Sequence, residues 1–367
     1  MGLTRRDWLR AAGALGAAGL AGCTGTGGPD GGGRRTAAPG TGDTTATATP
    51  GTPPPTADRS LYLGHAVDHV DENLVSGGVP KDGIPSIDDP TFAAAGETPV
   101  ADGDPVFGVA RNGEAKAYPQ YILVHHEIVN DTVGGDPVAV TYCPLTGTAQ
   151  GFERGETTFG VSGRLVNSNL TMYDRGTDTW WPQVLATGVR GPLRGETLEE
   201  FRVVWTTWKQ WRSAHPDTQV LTEDTGYTRR YGDDPYGDYN PRAGYYDDGR
   251  TLFSPLVTDD RAHPKRVVLG TRTTEGALTF DEPTLLDERV LTGDVAGTEY
   301  VAVADAALST GYVYANPDGL TVTAEDGGYR VDGGTHAADA LPLDRSLAFD
   351  GMWFAWAGFY PGVGYVR

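Results

Sequence analysis

Three side chains in this sequence have types that together support thiol chemistry: Cys143, His126 and Glu127. Cys143 ends the apolar, β-branched run 138–143 and precedes a Pro/Gly turn, and folds often expose functional side chains where strands end. A neighbouring imidazole lowers the pKa of a thiol and makes the sulfur nucleophilic or ready to bind a metal. We therefore expect His126, with Glu127 beside it, to face Cys143 as a catalytic group.

The same residues also have structural interpretations. Free cysteine is among the most buried residue types, so Cys143 also fits a small core residue. If His125 and His126 lie on a strand, their rings point to opposite faces, and only one of them can face the thiol. That ring can equally be a hydrogen-bonded structural histidine.

Residues 167–183 offer amide, hydroxyl, thioether and carboxylate groups within a short stretch. The predicted ligand-binding residues are Asn167, Asn169, Tyr173, Asp174 and Gln183. Met172, placed near Cys143 and His126, would complete the soft ligand set that copper or another soft metal prefers. A methionine in the core is the alternative. The cofactor is otherwise unknown.

Short β-like runs separated by Gly, Asp and Pro turns must position these side chains. The clearest helical segment is 206–217, where Trp208 and Trp211 share one face and Pro216 marks the end. The pattern predicts a mainly β (α+β) protein with short helices.

The chain also resembles itself at an offset of about 163 residues. Trp208 then aligns with Trp353 and Trp211 with Trp356, which predicts two tandem, diverged copies of one β-rich unit. Cys143 aligns with Ala306, while His125 and His126 align with Glu288 and Arg289. Because the second copy lacks these side chains, we expect the chemistry in the first copy and treat the tryptophans as core.

The N-terminus has the features of an export signal. Arg5 and Arg6 precede a weakly apolar run that ends in Leu-Ala-Gly-Cys at Cys23. This segment resembles a twin-arginine signal followed by a lipobox. The resemblance implies that Cys23 is lipidated and holds the protein on the extracytoplasmic face of the cell membrane.

The domain boundaries follow from composition. We predict a signal peptide at 1–22, a disordered Gly/Thr/Pro tether at 23–57, the site-bearing copy at 58–222 and a degenerate copy at 259–367. Residues 223–258 form a Tyr/Asp/Gly-rich connector, which we expect to be solvated. Its spacing does not fit a helix-loop-helix calcium loop.

The charge balance narrows the class of partners. The chain has 49 acidic and 29 basic residues, a net charge of -20, and such an acidic surface resembles that of haloarchaeal proteins. Nucleic acid is excluded as a partner because phosphate binding needs a basic face.

Four segments resemble the domain-of-unknown-function family 3179: residues 125–149, 159–183, 263–270 and 353–361. The resemblance runs from about His65 to the C-terminus and implies no established activity. Members often read Cys-Pro-Leu-Cys-Gly-Thr where this chain has Thr146 in place of the second cysteine. A resolving thiol is therefore missing, so any chemistry must use one sulfur.

Two functional hypotheses follow. The first is single-cysteine redox or soft-metal chemistry in the N-terminal copy of a membrane-anchored lipoprotein. The alternative is a non-enzymatic envelope module that binds a small molecule or a protein partner.

Overall fold

A computed structural model describes residues 51–367 of the chain. The predicted signal peptide, most of the tether and the lipidation site Cys23 lie outside these residues. Within 51–367 no helix is long and apolar enough to cross a membrane.

The helices of the described region are short, and most begin where a strand ends. The capping box between Thr207 and Gln210 starts the predicted tryptophan helix, which is confirmed. The α-helices are α1 (Val67–Glu72), α2 (Gln120–Leu123), α3 (Trp208–Ala214), α4 (Glu282–Glu288) and α5 (Trp353–Phe359), and the 3₁₀ helices are Gln183–Leu185 and Gly244–Tyr246.

Strands make up most of the regular structure, as predicted. In residues 58–222, hereafter the first half, they are β1 (Val75–Ser76), β2 (Phe92–Ala94), β3 (Pro105–Arg111), β4 (Glu114–Pro119), β5 (Ile128–Val133), β6 (Asp136–Cys143), β7 (Thr148–Glu153), β8 (Phe159–Val166), β9 (Asn169–Asp174), β10 (Trp180–Pro182), β11 (Glu200–Phe201), β12 (Val204–Thr207) and β13 (Gln219–Leu221). In residues 259–367, hereafter the second half, they are β14 (Val267–Arg272), β15 (Ala277–Asp281), β16 (Val290–Val295), β17 (Thr298–Asp305), β18 (Thr310–Ala315), β19 (Val322–Glu325), β20 (Gly328–Val331), β21 (Gly334–His336), β22 (Asp344–Ser346), β23 (Ala348–Met352) and β24 (Gly364–Val366).

The strands of residues 51–367 form six sheets, three in each half. The first half has β12-β3-β4-β13-β2, β11-β7-β6-β5 and β1-β8-β9-β10. The second half has β23-β14-β15-β24, β16-β17-β18-β22 and β19-β20-β21. In both halves the first sheet pairs an antiparallel hairpin with a parallel strand that follows a tryptophan-bearing helix.

Strand registers recur between the halves. Val106 pairs with Pro119 in the β3–β4 hairpin, and Val268 pairs with Asp281 in the β14–β15 hairpin, which is 162 residues later at both positions. The two hairpins therefore close with the same register and turn length.

This register corrects the expected counterpart of Cys143. Cys143 pairs with Thr148 across the β6–β7 hairpin, and Asp305 pairs with Thr310 across the β17–β18 hairpin. The residue in the equivalent position is therefore Asp305 and not Ala306. The alignment of the chain with itself was one residue out because strand pairing, and not letter similarity, fixes the register.

The same one-residue correction applies to the histidines. Glu127 and Arg289 both have left-handed backbones, with φ of 60° and 67°, directly before β5 and β16. Arg289 is thus the counterpart of Glu127, and Glu288 that of His126.

The predicted core tryptophans are buried, each at no more than 1% exposure. Gly108 lies under the Trp211 ring and Gly270 under the Trp356 ring, and a Cβ at either glycine would come within 2.3 Å or 2.1 Å of ring atoms. A glycine on the central strand therefore makes room for the helix tryptophan in both halves.

The tether ends earlier than predicted. Residues 51–57 lie along the first half, where Gly51 N donates to Gly176 O and Ala57 N to Thr197 O, both at 2.8 Å. Pro54 is buried there. These backbone hydrogen bonds and this packing order a stretch whose composition alone predicted disorder.

Candidate functional site

Cys143 is fully buried at the end of β6. Its sulfur accepts a hydrogen bond from Leu170 N at 3.3 Å and lies 3.7 Å from Ser168 O. Ser168 belongs to the tight turn between β8 and β9, where it and Asn167 have left-handed backbones. The polar contacts of the thiol are thus with the backbone of a hairpin turn.

The surroundings of the thiol keep it protonated. Burial raises the pKa of Cys143 to about 11, and the Glu127 carboxyl adds to this effect. Burial also raises the pKa of Glu127 to about 8. Because the thiolate is the reactive form of cysteine, this environment opposes the nucleophilic role expected from the sequence.

His126 does not face Cys143. It lies in the turn after α2, so the expected alternation of faces along a strand does not apply. Its Nδ1 is 2.8 Å from Pro85 O and its Nε2 is 2.7 Å from the Tyr231 hydroxyl, so both ring nitrogens are occupied. Burial lowers the pKa of His126 to about 4. The ring is therefore a neutral structural histidine.

Asn169 and Gln183 do come together, in a closed polar network under the Cys143 hairpin. Asn169 Nδ2 donates to Thr146 Oγ1 and to Gln183 Oε1, both at 3.0 Å. Gln183 Nε2 donates to Thr141 Oγ1 at 2.8 Å, and Val184 N donates to Asn169 Oδ1 at 2.9 Å. Both amides are fully buried and bonded at both ends, so they stabilise the hairpin and offer no free group to a ligand.

The other predicted ligand-binding residues also have structural partners. Asn167 Nδ2 donates to Ala355 O at 2.9 Å and so joins the two halves. Tyr173 OH donates to Asp82 at 2.5 Å. The Asp174 carboxylate accepts from its own turn and, at 3.0 Å, from Trp181 Nε1.

The soft-metal set is not assembled either. Met172 is fully buried in the same apolar cluster as Cys143, whereas both nitrogens of His126 are engaged elsewhere. Across residues 51–367 no three His, Cys, Asp or Glu side chains form a group that could hold a metal ion.

The connector, residues 223–258, is solvated only in part. Its aspartates and glycines are largely exposed, but Tyr245 and Tyr246 are buried against the Cys143 cluster. Tyr245 OH donates to Leu145 O at 2.8 Å, within the turn that follows Cys143. These aromatic residues therefore hold part of the connector against the Cys143 cluster, which the Asp/Gly composition did not predict.

Lys265 is a buried residue beside this cluster that was not predicted from the sequence. Its Nζ lies 2.9 Å from the centroid of the Tyr245 ring and has no hydrogen-bond partner in residues 51–367. Burial lowers the pKa of Lys265 to about 6. The only signal for this residue in the sequence is its place two residues before the apolar strand β14.

A cavity of about 260 Å³ lies where the two halves and the connector meet. We call it the first cavity. The first half contributes Trp205 and Gln210 to its wall, and the connector contributes Tyr239 and Arg242. The second half contributes Leu286, Ser309 and the carboxylates of Glu282 and Asp350.

The two carboxylates form an incompletely compensated pair. Asp350 is 7% exposed, and its Oδ1 is enclosed without a hydrogen-bond partner among the described residues. Burial raises the pKa of Asp350 to about 6, and burial together with Asp350 raises that of Glu282 to about 8. Two neighbouring carboxyls resist simultaneous ionisation, so at neutral pH the pair retains a proton, mainly on Glu282, unless a cation enters.

Aromatic side chains also line the first cavity. The Trp205 and Tyr239 rings lie 4.5 Å apart between centroids. Arg242 stacks on Tyr239 at 4.8 Å and donates to Lys265 O at 3.1 Å and Tyr239 OH at 3.3 Å. These bonds fix Arg242 at the edge of the cavity.

A second cavity, of about 330 Å³, lies beside the first. It shares Pro105, Tyr239 and Asn240 with the first cavity. The rest of its wall includes Gln120, Tyr121, Tyr231 and four carboxylates: Asp104, Glu223, Asp234 and Asp238.

The sequence contained one signal for the first cavity. Asp350 is a single carboxylate inside the apolar run 347–357, and a buried charge without a partner is costly enough to need an explanation. Asp350 was not predicted as a site residue because the second half lacks cysteine and was expected to be degenerate.

Comparison with known proteins gives one match. The model of a family described as "Protein of unknown function (DUF3179)" matches residues 81–363. No curated protein and no solved structure matches the chain.

Proposed function

Since the chain belongs to the DUF3179 family, whose description assigns no activity, we propose its function from the first cavity: the protein binds a small organic cation there. The observation that carries this proposal is Asp350 Oδ1, which is buried and lacks a partner among the described residues, on a residue that lines the cavity. Glu282 lines the same cavity.

A cation fits this wall better than the alternatives. An ammonium group would pair with the carboxyl groups of Glu282 and Asp350, which line the cavity, and would favour their charged forms. Its alkyl part would pack against Trp205 and Tyr239. The faces of these rings also attract the positive charge of the ammonium group. An anion would meet two carboxylates, and Arg242, which also lines the cavity, already donates to Lys265 O and Tyr239 OH. A metal ion would lack a third acidic or imidazole ligand in the described residues.

The experiment measures butylamine binding to the purified full-length protein by titration calorimetry. We expect Glu282→Gln and Asp350→Asn each to weaken binding at least about tenfold, since each removes one charge from the pair. Glu288→Gln, at the exposed end of α4, is the matched control and should bind as the parent does. Equal binding by the parent and both cavity variants would refute the proposal, and so would an equal loss in the control.

Single-sulfur redox or copper-like chemistry at Cys143 is not part of this proposal. The thiol is buried, its pKa is raised and both nitrogens of His126 are bonded elsewhere. The alternative drawn from the sequence, a non-enzymatic module that binds a small ligand, is the one that the cavity supports.

The proposal places this binding protein outside the cell membrane of a salt-adapted organism. The Arg5-Arg6 pair and the lipobox that ends at Cys23 support twin-arginine export and lipid anchoring. Replacing Cys23 with Ser should leave the protein exported but free of the membrane. Recovery of the variant wholly in the membrane fraction would contradict the anchor.

We also infer that the two halves are diverged tandem copies. The equivalent sheet orders and the common register offset support this inference. The cavity then arose at the boundary between copies, with its carboxylates in the copy that lacks a cysteine.

A further inference from the structure

The two cavities lie side by side, and this arrangement bears on the identity of the cation. Pro105, Tyr239 and Asn240 line both cavities, so the two cavities are adjacent in the fold. We propose that the ligand is a linear diamine or polyamine that spans both cavities. This inference rests on the function proposed above.

The second cavity has the charge that a second ammonium group needs. Its lining includes Asp104, Glu223, Asp234 and Asp238 but no lysine or arginine among the described residues. Asp234 is held in place because Gln120 Nε2 donates to it at 3.1 Å and Tyr246 OH at 2.9 Å. Burial raises the pKa of this carboxyl, so a cation would stabilise its charged form.

Both cavities have aromatic side chains in their linings. Tyr239 lines both cavities, and Tyr121 and Tyr231 line the second one. A methylene chain between two ammonium groups would pack on these rings while its ends reach carboxylates on either side. A ligand with one ammonium group would leave one acidic cavity uncompensated.

An acidic lining is also found in metal sites and on solvated surfaces. Each of these two alternatives predicts a different observation. A metal ion would need at least three acidic or imidazole ligands together, which the described residues do not provide. A solvated surface, expected in a chain of net charge -20, would attract amines without regard to which carboxylate is removed.

The test compares butylamine with 1,4-diaminobutane and spermidine on the full-length protein at constant salt. We expect one diamine per chain, bound at least about tenfold more tightly than butylamine, because the second ion pair forms within the same molecule. The double variant Glu223→Gln/Asp238→Asn should reduce diamine affinity to the level of butylamine and leave butylamine binding unchanged. Asp247→Asn, an exposed connector residue outside both linings, is the control.

The outcomes separate the two proposals. If the diamine binds no more tightly than butylamine and the double variant has no effect, the spanning ligand is wrong, while a loss of butylamine binding in Glu282→Gln still supports the first cavity. If no amine binds, both proposals fail. If Asp247→Asn weakens diamine binding as much as the double variant does, surface charge explains the affinity and the spanning ligand is overturned.

Discussion

Cys143 combines a position at a strand end with complete burial, and the second property controls its chemistry. The sulfur is enclosed by an apolar cluster and by the turn that supplies Leu170 N. A thiol reagent must reach the sulfur and meet a thiolate, and the fold hinders both steps.

We therefore predict that folded protein resists labelling at Cys143 by a thiol reagent and that denaturant restores labelling. The labelling rate should follow the unfolded fraction measured by tryptophan fluorescence, because only opening of the hairpin exposes the sulfur. In protein that also carries Cys23→Ser, the further change Cys143→Ser should remove the labelling of the unfolded chain. Rapid labelling in native conditions would show that the thiol is accessible and would revive the redox hypothesis.

The carboxylate pair makes cation binding depend on pH. The raised pKa values, about 6 for Asp350 and about 8 for Glu282, mean that an entering ammonium must displace protons below pH 8. Affinity for butylamine should therefore rise with pH, by about tenfold or more between about pH 5.5 and 8.5, and level off above this range. Asp350→Asn should flatten this dependence, and a parent affinity that falls with pH would contradict it.

Residue types indicated polarity but not whether each group is already satisfied. Asn169 and Gln183 look like ligand-binding amides in the sequence, yet in the fold they satisfy each other and the threonines around them. Asp350 looks like a lone carboxylate within an apolar run, yet its Oδ1 has no hydrogen-bond partner among the described residues. Only the three-dimensional contacts distinguish the two cases, because the partners lie far apart in the sequence.

At the scale of elements, each half depends on a glycine beneath a helix tryptophan. We predict that Gly108→Ala and Gly270→Ala each lower the free energy of unfolding by about 1–3 kcal/mol or more, because the new methyl group overlaps a buried indole ring. Urea unfolding measures the effect. Gly96→Ala, an exposed position with no atom within 4 Å of a new Cβ, is the control and should change stability by less than about 0.5 kcal/mol. Variants as stable as the control would show that the tryptophans can move aside.

The strands and the tryptophan helix were predictable because their signals are local. β6 contains the apolar, β-branched run 138–143, and the Thr207–Gln210 capping box begins α3. Pairing register was not local, which explains the one-residue error that matched Cys143 to Ala306. The turn position of His126 was missed for the same kind of reason, since α2 is too short to give a periodic pattern.

At the scale of the whole molecule, the net charge of -20 predicts a need for salt. Below roughly 0.1 M salt the Debye length exceeds about 10 Å and the acidic side chains repel one another across the surface. We expect the urea midpoint to fall when KCl is reduced from about 2 M to about 0.05 M, since screening is lost. Fluorescence-detected unfolding at each salt concentration provides the measurement, and an unchanged midpoint would argue against salt adaptation.

The shared wall formed by Tyr239 and Asn240 also restricts how such a protein can evolve. These residues come from the segment between the halves, and Gln210 of the first half donates to Ser309 of the second at 2.6 Å beside them. A gene fragment that encodes only one half would inherit sheets but neither cavity. Recombination would therefore have to exchange both halves and the intervening segment together to transfer the proposed binding site to another protein.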